Sequence, residues 1–118
     1  MVTNTIVYAY TAFQVVGDSM DNGTRSSFED GDKLLTLPID ISEFRDTIND
    51  SLDSFWVIET KTGILLKQIT EYNVSTDMIT CHSLNPSADY SDYQIPIEHI
   101  NKIYRVVQKQ GRPIYYSD

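Results

Sequence analysis

The chain has 118 residues, with 17 Asp+Glu against 9 Lys+Arg and a formal net charge of −8. That length makes one domain, 1–118, and 41% hydrophobic with 22% charged residues is the composition of a chain that buries a core rather than one that stays disordered. The single cysteine, Cys81, excludes an internal disulfide framework and a multi-cysteine zinc site, and the scattered cations exclude a phosphate-binding stripe, so no direct nucleic-acid binding is expected. No apolar run approaches the roughly 20 residues of a membrane helix, and Met1-Val2-Thr3-Asn4-Thr5 lacks the basic start of a signal peptide. A soluble, cytoplasmic protein with no membrane partner is the expectation.

In chain order, residues 6–13 form a first strand candidate, followed directly by the turn Gly17-Asp18-Ser19-Met20. Residues 33–37 read as a second strand. Ile41, Phe44, Ile48 and Leu52 recur at helical spacing and share a face, and Asp40 with Glu43 fits a capping-box start after Pro38, which predicts one short amphipathic helix. The clearest strands are 55–60 and 64–69, β-branched and aromatic, joined by Lys61-Thr62-Gly63 in a three-residue hairpin loop whose glycine takes the left-handed conformation. A polar stretch, 71–77, leads to a third meander strand at 78–84, ended by Asn85-Pro86. A helical turn is predicted at 97–100 after Pro96, a strand at 102–107 and a short C-terminal piece at 114–116. The predicted class is mainly β, a small antiparallel β domain with one short covering helix.

Two residues stand out chemically. Gly17 frees the backbone to turn, so that Ser19 is displayed at a strand end, although any turn uses small polar residues beside glycine. Lys67 lies between Leu65 and Ile69 on one strand face, with Leu66 on the other, so it is expected to be desolvated. Desolvation disfavours the ammonium, and a neutral lysine can take a proton from a serine hydroxyl. The alternative is an edge lysine that snorkels to water. Cys81 and His82 point to opposite faces of a strand and do not share a metal. A triad of Ser19 with His82 or His99 and an aspartate stays open because triads are spatial, while Asp18 reads as a turn carboxylate. The eight tyrosines, among them Tyr8, Tyr10, Tyr115 and Tyr116, read as a dimer surface or as ordinary strand residues.

The ordered set Gly17-Asp18-Ser19-Met20, Phe28-Glu29-Asp30-Gly31-Asp32, Leu66-Lys67-Gln68-Ile69, Ser83-Leu84-Asn85-Pro86 and Tyr104-Arg105-Val106-Val107 resembles the self-cleaving peptidase domain of LexA and of phage repressors. The serine and lysine stand 48 positions apart, and the resemblance spans residues 13–107. It implies a mainly β fold shared with bacterial signal peptidases, a Ser/Lys dyad without histidine, and homodimers. Carried over, Ser19 would be the nucleophile and Lys67 its general base, with the backbone amides of Ser19 and Met20 as oxyanion donors. The implied partners are a second copy, the chain's own N-terminal segment as substrate and a recombinase filament, with no metal or organic cofactor. Two features depart from the family: residues 21–27 are longer and more polar than its usual link, and no Ala-Gly bond occurs in the sequence. The expected function is peptidase and dimerisation domain of a transcriptional regulator; an inactive dimerisation or sensor module, or a relative of error-prone polymerase accessory subunits, remains open beside it.

Overall fold

The computed structural model describes residues 9–110 together with the backbone of residues 112 and 113. Its strands are β1 (Thr11–Gln14), β2 (Lys33–Ile39), β3 (Phe55–Thr60), β4 (Gly63–Asn73), β5 (Met78–His82), β6 (Tyr93–Pro96), β7 (Ile100–Lys109) and β8 (Arg112–Pro113), with one helix, α1 (Ile41–Thr47). All strand pairs are antiparallel, and the order β1-β2-β7-β3-β4-β5-β6 makes one curled sheet, with β8 added beside β7. The chain is mainly β, as its composition of β-branched and aromatic runs requires.

Period-2 alternation buries both faces of this sheet. On β3, Trp56 and Ile58 join Phe44, Ile48, Ile69, Ile79, Cys81 and Ile103 in one cluster, while Phe55 and Val57 join Met20, Phe28, Leu34, Tyr104 and Val106 in the other. A strand apolar on both faces must be central, and β3 lies between β7 and β4. The helix closes the first face by setting Phe44 edge-on to Trp56 at 5.1 Å between ring centroids. No helix among the described residues is long and apolar enough to cross a membrane.

Several local expectations change. The helix stops at Thr47 and tightens into a 3₁₀ turn over Ile48–Asp50, which takes Leu52 off the packed face and leaves it 37% exposed. Asp40 does precede the helix with extended backbone, but its side chain makes no cap hydrogen bond, so the capping box is not formed. In the β3–β4 hairpin Thr60 pairs with Gly63, so the loop is Lys61-Thr62 alone and the positive φ of 155° falls on the first residue of the returning strand. Residues 71–73, expected to lie in a polar connection, continue β4: a bulge between Ile69 and Glu71 re-aims the strand, and Tyr72 then packs on the core and donates its hydroxyl to Asp77 at 2.6 Å. β5 ends at His82, two residues short of expectation, and β6 was not anticipated because Tyr93-Gln94-Ile95-Pro96 is short and ends in proline. The first strand runs over Thr11–Gln14, and the 97–100 turn is a 3₁₀ helix over Ile97–His99. The first three residues of the 6–13 candidate, the 114–116 piece, Tyr8, Tyr115 and Tyr116 lie outside the described residues.

Lys109 organises the polar segment 21–27. Only 6% exposed, its ammonium donates to the carbonyl oxygens of Arg25 at 2.8 Å and Ser27 at 2.7 Å, stands 5.6 Å from the Phe28 ring centroid, and lies 3.9 Å from Asp32 Oδ2. A buried ammonium saturated with carbonyls cannot contribute to a basic surface. Replacing it by methionine keeps the apolar stem but strips two carbonyls of their donor, and each orphaned partner of a charged hydrogen bond carries a cost. Lys109→Met is expected to lower stability by about 3 kcal/mol in urea unfolding and to open residues 21–27 to proteolysis. A change below about 0.5 kcal/mol, with unaltered cleavage, would show that the segment holds itself.

Candidate functional site

Ser19 sits in a turn held from several sides. Past β1 the chain is still tied to residues 31–32, with Val15 N donating to the Asp32 carbonyl at 2.8 Å and Gly31 N to the Val15 carbonyl at 2.8 Å. Gly17 then turns with φ 87°, a conformation that favours glycine, and its amide donates to Asp30 Oδ1 at 2.7 Å. Asp21 N closes the turn on the Asp18 carbonyl at 3.1 Å, while Met20 buries its side chain in the second cluster, 1% exposed. Anchored by Met20 and freed by Gly17, Ser19 stays half-buried at the surface.

Lys67 comes from the middle of the sheet. It pairs with Trp56 of β3 and is 6% exposed, with Leu65 and Ile69 on its own side of the strand. The ladder between β4 and β5 runs Ile69–Cys81 and Gln68–His82, so one further step sets Ser83 opposite Lys67. There, Lys67 Nζ donates to Ser83 Oγ at 2.7 Å and to Ser19 Oγ at 3.2 Å. Burial pulls the lysine below its ordinary value of 10.5, opposed by the Cys81 thiol nearby. Burial pushes that thiol up to about 12, which keeps Cys81 neutral and removes it as a nucleophile.

The structure thus brings Ser19 and Lys67 together and adds Ser83, to which the motif Ser83-Leu84-Asn85-Pro86 assigns no role by itself. The signal was available: antiparallel register, extended one pair past His82, places it. Neither histidine joins them. His82 Nδ1 pairs with Asp92 Oδ1 at 2.7 Å on the exposed side of β5, and His99 is exposed at the end of the 3₁₀ turn, so no Ser-His-Asp triad forms among the described residues. The Asp18 carboxylate accepts the Tyr90 hydroxyl rather than an amide of its own turn, which is closed by the Asp18 main-chain carbonyl. Among the described residues the amides of Ser19 and Met20 make no hydrogen bond within the protein, and no group of three metal-ligating side chains assembles. Of the tyrosines, Tyr10 is 52% and Tyr93 40% exposed, whereas Tyr72 and Tyr104 pack into the clusters.

Ser19 and Lys67 line a mostly apolar cleft of about 330 Å³, walled by Phe13, Val15, Leu34, Val57 and Leu66, with Val16 and Ile64 exposed at its border. Along this cleft β4 has a strand partner on one side only, because pairing to β5 begins at Gln68. The chain matches no family model, no curated protein and no solved structure.

The lysine's burial makes a stability prediction with a definite sign. A folded value below the unfolded one means that the unfolded chain holds the proton more tightly, so stability rises with pH from the folded value of Lys67 up to 10.5 and is flat below that window. Lys67→Met removes the penalty but orphans the buried Ser83 hydroxyl, so its stability relative to wild type is expected to be constant below the window and to fall as pH rises through it. A difference that does not change with pH up to 10.5 would show that burial leaves the Lys67 proton in place.

Proposed function

We propose that this chain is a serine peptidase domain working through a Ser19/Lys67 dyad, of the kind found in LexA and phage repressors. The observation that carries the reading is the 3.2 Å hydrogen bond between Lys67 Nζ and Ser19 Oγ, made by a desolvated lysine at the end of an open cleft. Ser83 is nearer to the ammonium but only 3% exposed, so it orients the lysine, while Ser19 lines the cleft and can reach a substrate.

In this reading neutral Lys67 takes the Ser19 proton as Oγ attacks a peptide carbonyl. The amides of Ser19 and Met20 receive the oxyanion. The lysine then delivers its proton to the departing amine, and the acyl-enzyme is hydrolysed by water activated by the same lysine. The unpaired edge of β4 accepts the substrate backbone as an added strand, and the aliphatic walls accept small apolar side chains. The family resemblance places the substrate in the protein's own longer chain, with cleavage separating a dimerising domain from a DNA-binding one and weakening operator binding through lost bivalency. A recombinase filament would be the trigger, and a second copy the partner.

The reading is tested without knowing the substrate by a fluorophosphonate probe: Ser19 Oγ bonds to phosphorus, fluoride leaves and Lys67 takes the proton. Intact-mass spectrometry is expected to find one adduct, on Ser19, forming faster as pH rises and levelling once Lys67 is neutral, with a midpoint below 10.5. Ser19→Ala should abolish the adduct, and Lys67→Ala should slow it by about 100-fold or more. Lys67→Arg should not rescue it, because a guanidinium stays protonated. An unlabelled wild-type chain, or equal labelling of the arginine variant, would favour an inactive dimerisation module.

A further inference from the structure

The dyad's two halves come from elements that do not pair with each other: Ser19 from a turn beyond β1, Lys67 from mid-β4. A distance between such elements needs a third element touching both, or it drifts with the sheet. Residues 83–90 touch both. At their start, Ser83 Oγ accepts Lys67 Nζ at 2.7 Å. In the middle, Asn85 N donates to the Ser19 carbonyl and Asn85 Nδ2 to the Asp18 carbonyl, both at 3.0 Å. At the end, the Tyr90 hydroxyl donates to Asp18 Oδ1.

The segment is itself braced. Asn85 Oδ1 accepts Ser87 N at 3.0 Å, Ser87 Oγ accepts Asp89 N at 3.3 Å, and Tyr90 N returns to the Ser87 carbonyl at 3.0 Å, which closes the 3₁₀ turn Ala88–Tyr90. Every hydrogen-bonding group of Asn85 except its carbonyl oxygen and one amide hydrogen is therefore engaged, two toward the serine turn and one toward the turn that presents Tyr90. An asparagine beside Pro86 would serve equally to end a strand, but a strand stop needs no bond to residues 18 and 19.

Resting on the dyad reading, we propose that Asn85 and Tyr90 are positioning residues. Together with Ser83 they form a bracket that sets the Ser19–Lys67 separation, Tyr90 acting through the Asp18 carboxylate and the Asn85 side chain through the Asp18 carbonyl. Neither touches the reacting atoms. Their loss displaces Oγ from the base rather than altering either group's chemistry, and small misplacements of reacting groups cost rate steeply.

The test is fluorophosphonate labelling of Tyr90→Phe and Asn85→Asp at several probe concentrations, which separates the limiting rate from the half-saturating concentration. Tyr90→Phe removes one hydroxyl from a half-exposed ring and so keeps the fold, and Asn85→Asp keeps the acceptor for Ser87 N while deleting the donor to Asp18. Each is expected to lower the limiting rate about 10-fold, with half-saturation and the pH midpoint unchanged. The double variant Asp18→Ala/Tyr90→Phe should be no slower than Asp18→Ala alone, because Tyr90 acts only through that carboxylate. Limiting rates within twofold of wild type, or losses that multiply in the double variant, overturn the bracket while leaving the dyad in place. A wild-type chain that takes no label on Ser19 overturns the dyad and the bracket with it.

Discussion

An ammonium inside a β-sheet is tolerated only where acceptors meet it or where it gives up its proton, and Lys67 is placed so that both hold in part. Its two acceptors are hydroxyls, which satisfy hydrogen bonds but carry no charge to balance. Among the described residues no carboxylate bonds to it. The charged form is thus held poorly and the neutral form comfortably, the condition a general base requires. Lys109 shows the contrast within the same fold. Equally buried, it meets two carbonyl oxygens, an aromatic face and a nearby carboxylate, and its work is to hold residues 21–27. Same residue type, same burial, opposite surroundings.

The fold serves this placement. Mid-strand on β4, Lys67 and Ile69 share the buried face while Leu66 and Gln68 are only partly covered, and pairing to β3 fixes Lys67 against Trp56. Because β5 pairs with β4 only from Gln68 onward, the first residues of β4 keep an open edge beside the cleft. One strand therefore offers a buried lysine and an unpaired backbone within the same few residues. Gly17, at φ 87°, and Met20, anchored in the core, bring the serine turn to that strand from the far side of the sheet.

Much of this was legible in residue pattern, and what was not had physical reasons. The hairpin strands, the helix face Ile41-Phe44-Ile48 and the burial of Lys67 follow from periodicity, which local chemistry sets. The helix end did not, because Leu52 continues the helical spacing while Asp53 turns out of it at φ 70°. The extension of β4 through residues 71–73 was hidden by a bulge, which breaks the alternation that marks a strand. Ser83 escaped notice as a partner of Lys67 because a serine is chemically silent until register sets it opposite a lysine. The Tyr90–Asp18 contact spans 72 positions and has no local signature at all. Beside Gly17, Asp18 looks like a turn carboxylate, whereas its carboxylate reaches Tyr90 and caps no amide of its turn.

The account turns on the protonation of one side chain, and that can be observed without any substrate. Labelling the chain with ¹³C,¹⁵N-lysine and following each Cε and Nζ resonance against pH, with Lys67→Met used for assignment, gives the lysine's titration directly. The account predicts a Lys67 midpoint below 10.5. It also predicts that Lys67 loses its proton while the sheet remains folded. A Lys67 midpoint at or above 10.5 would contradict the claim that this lysine is poised as a base.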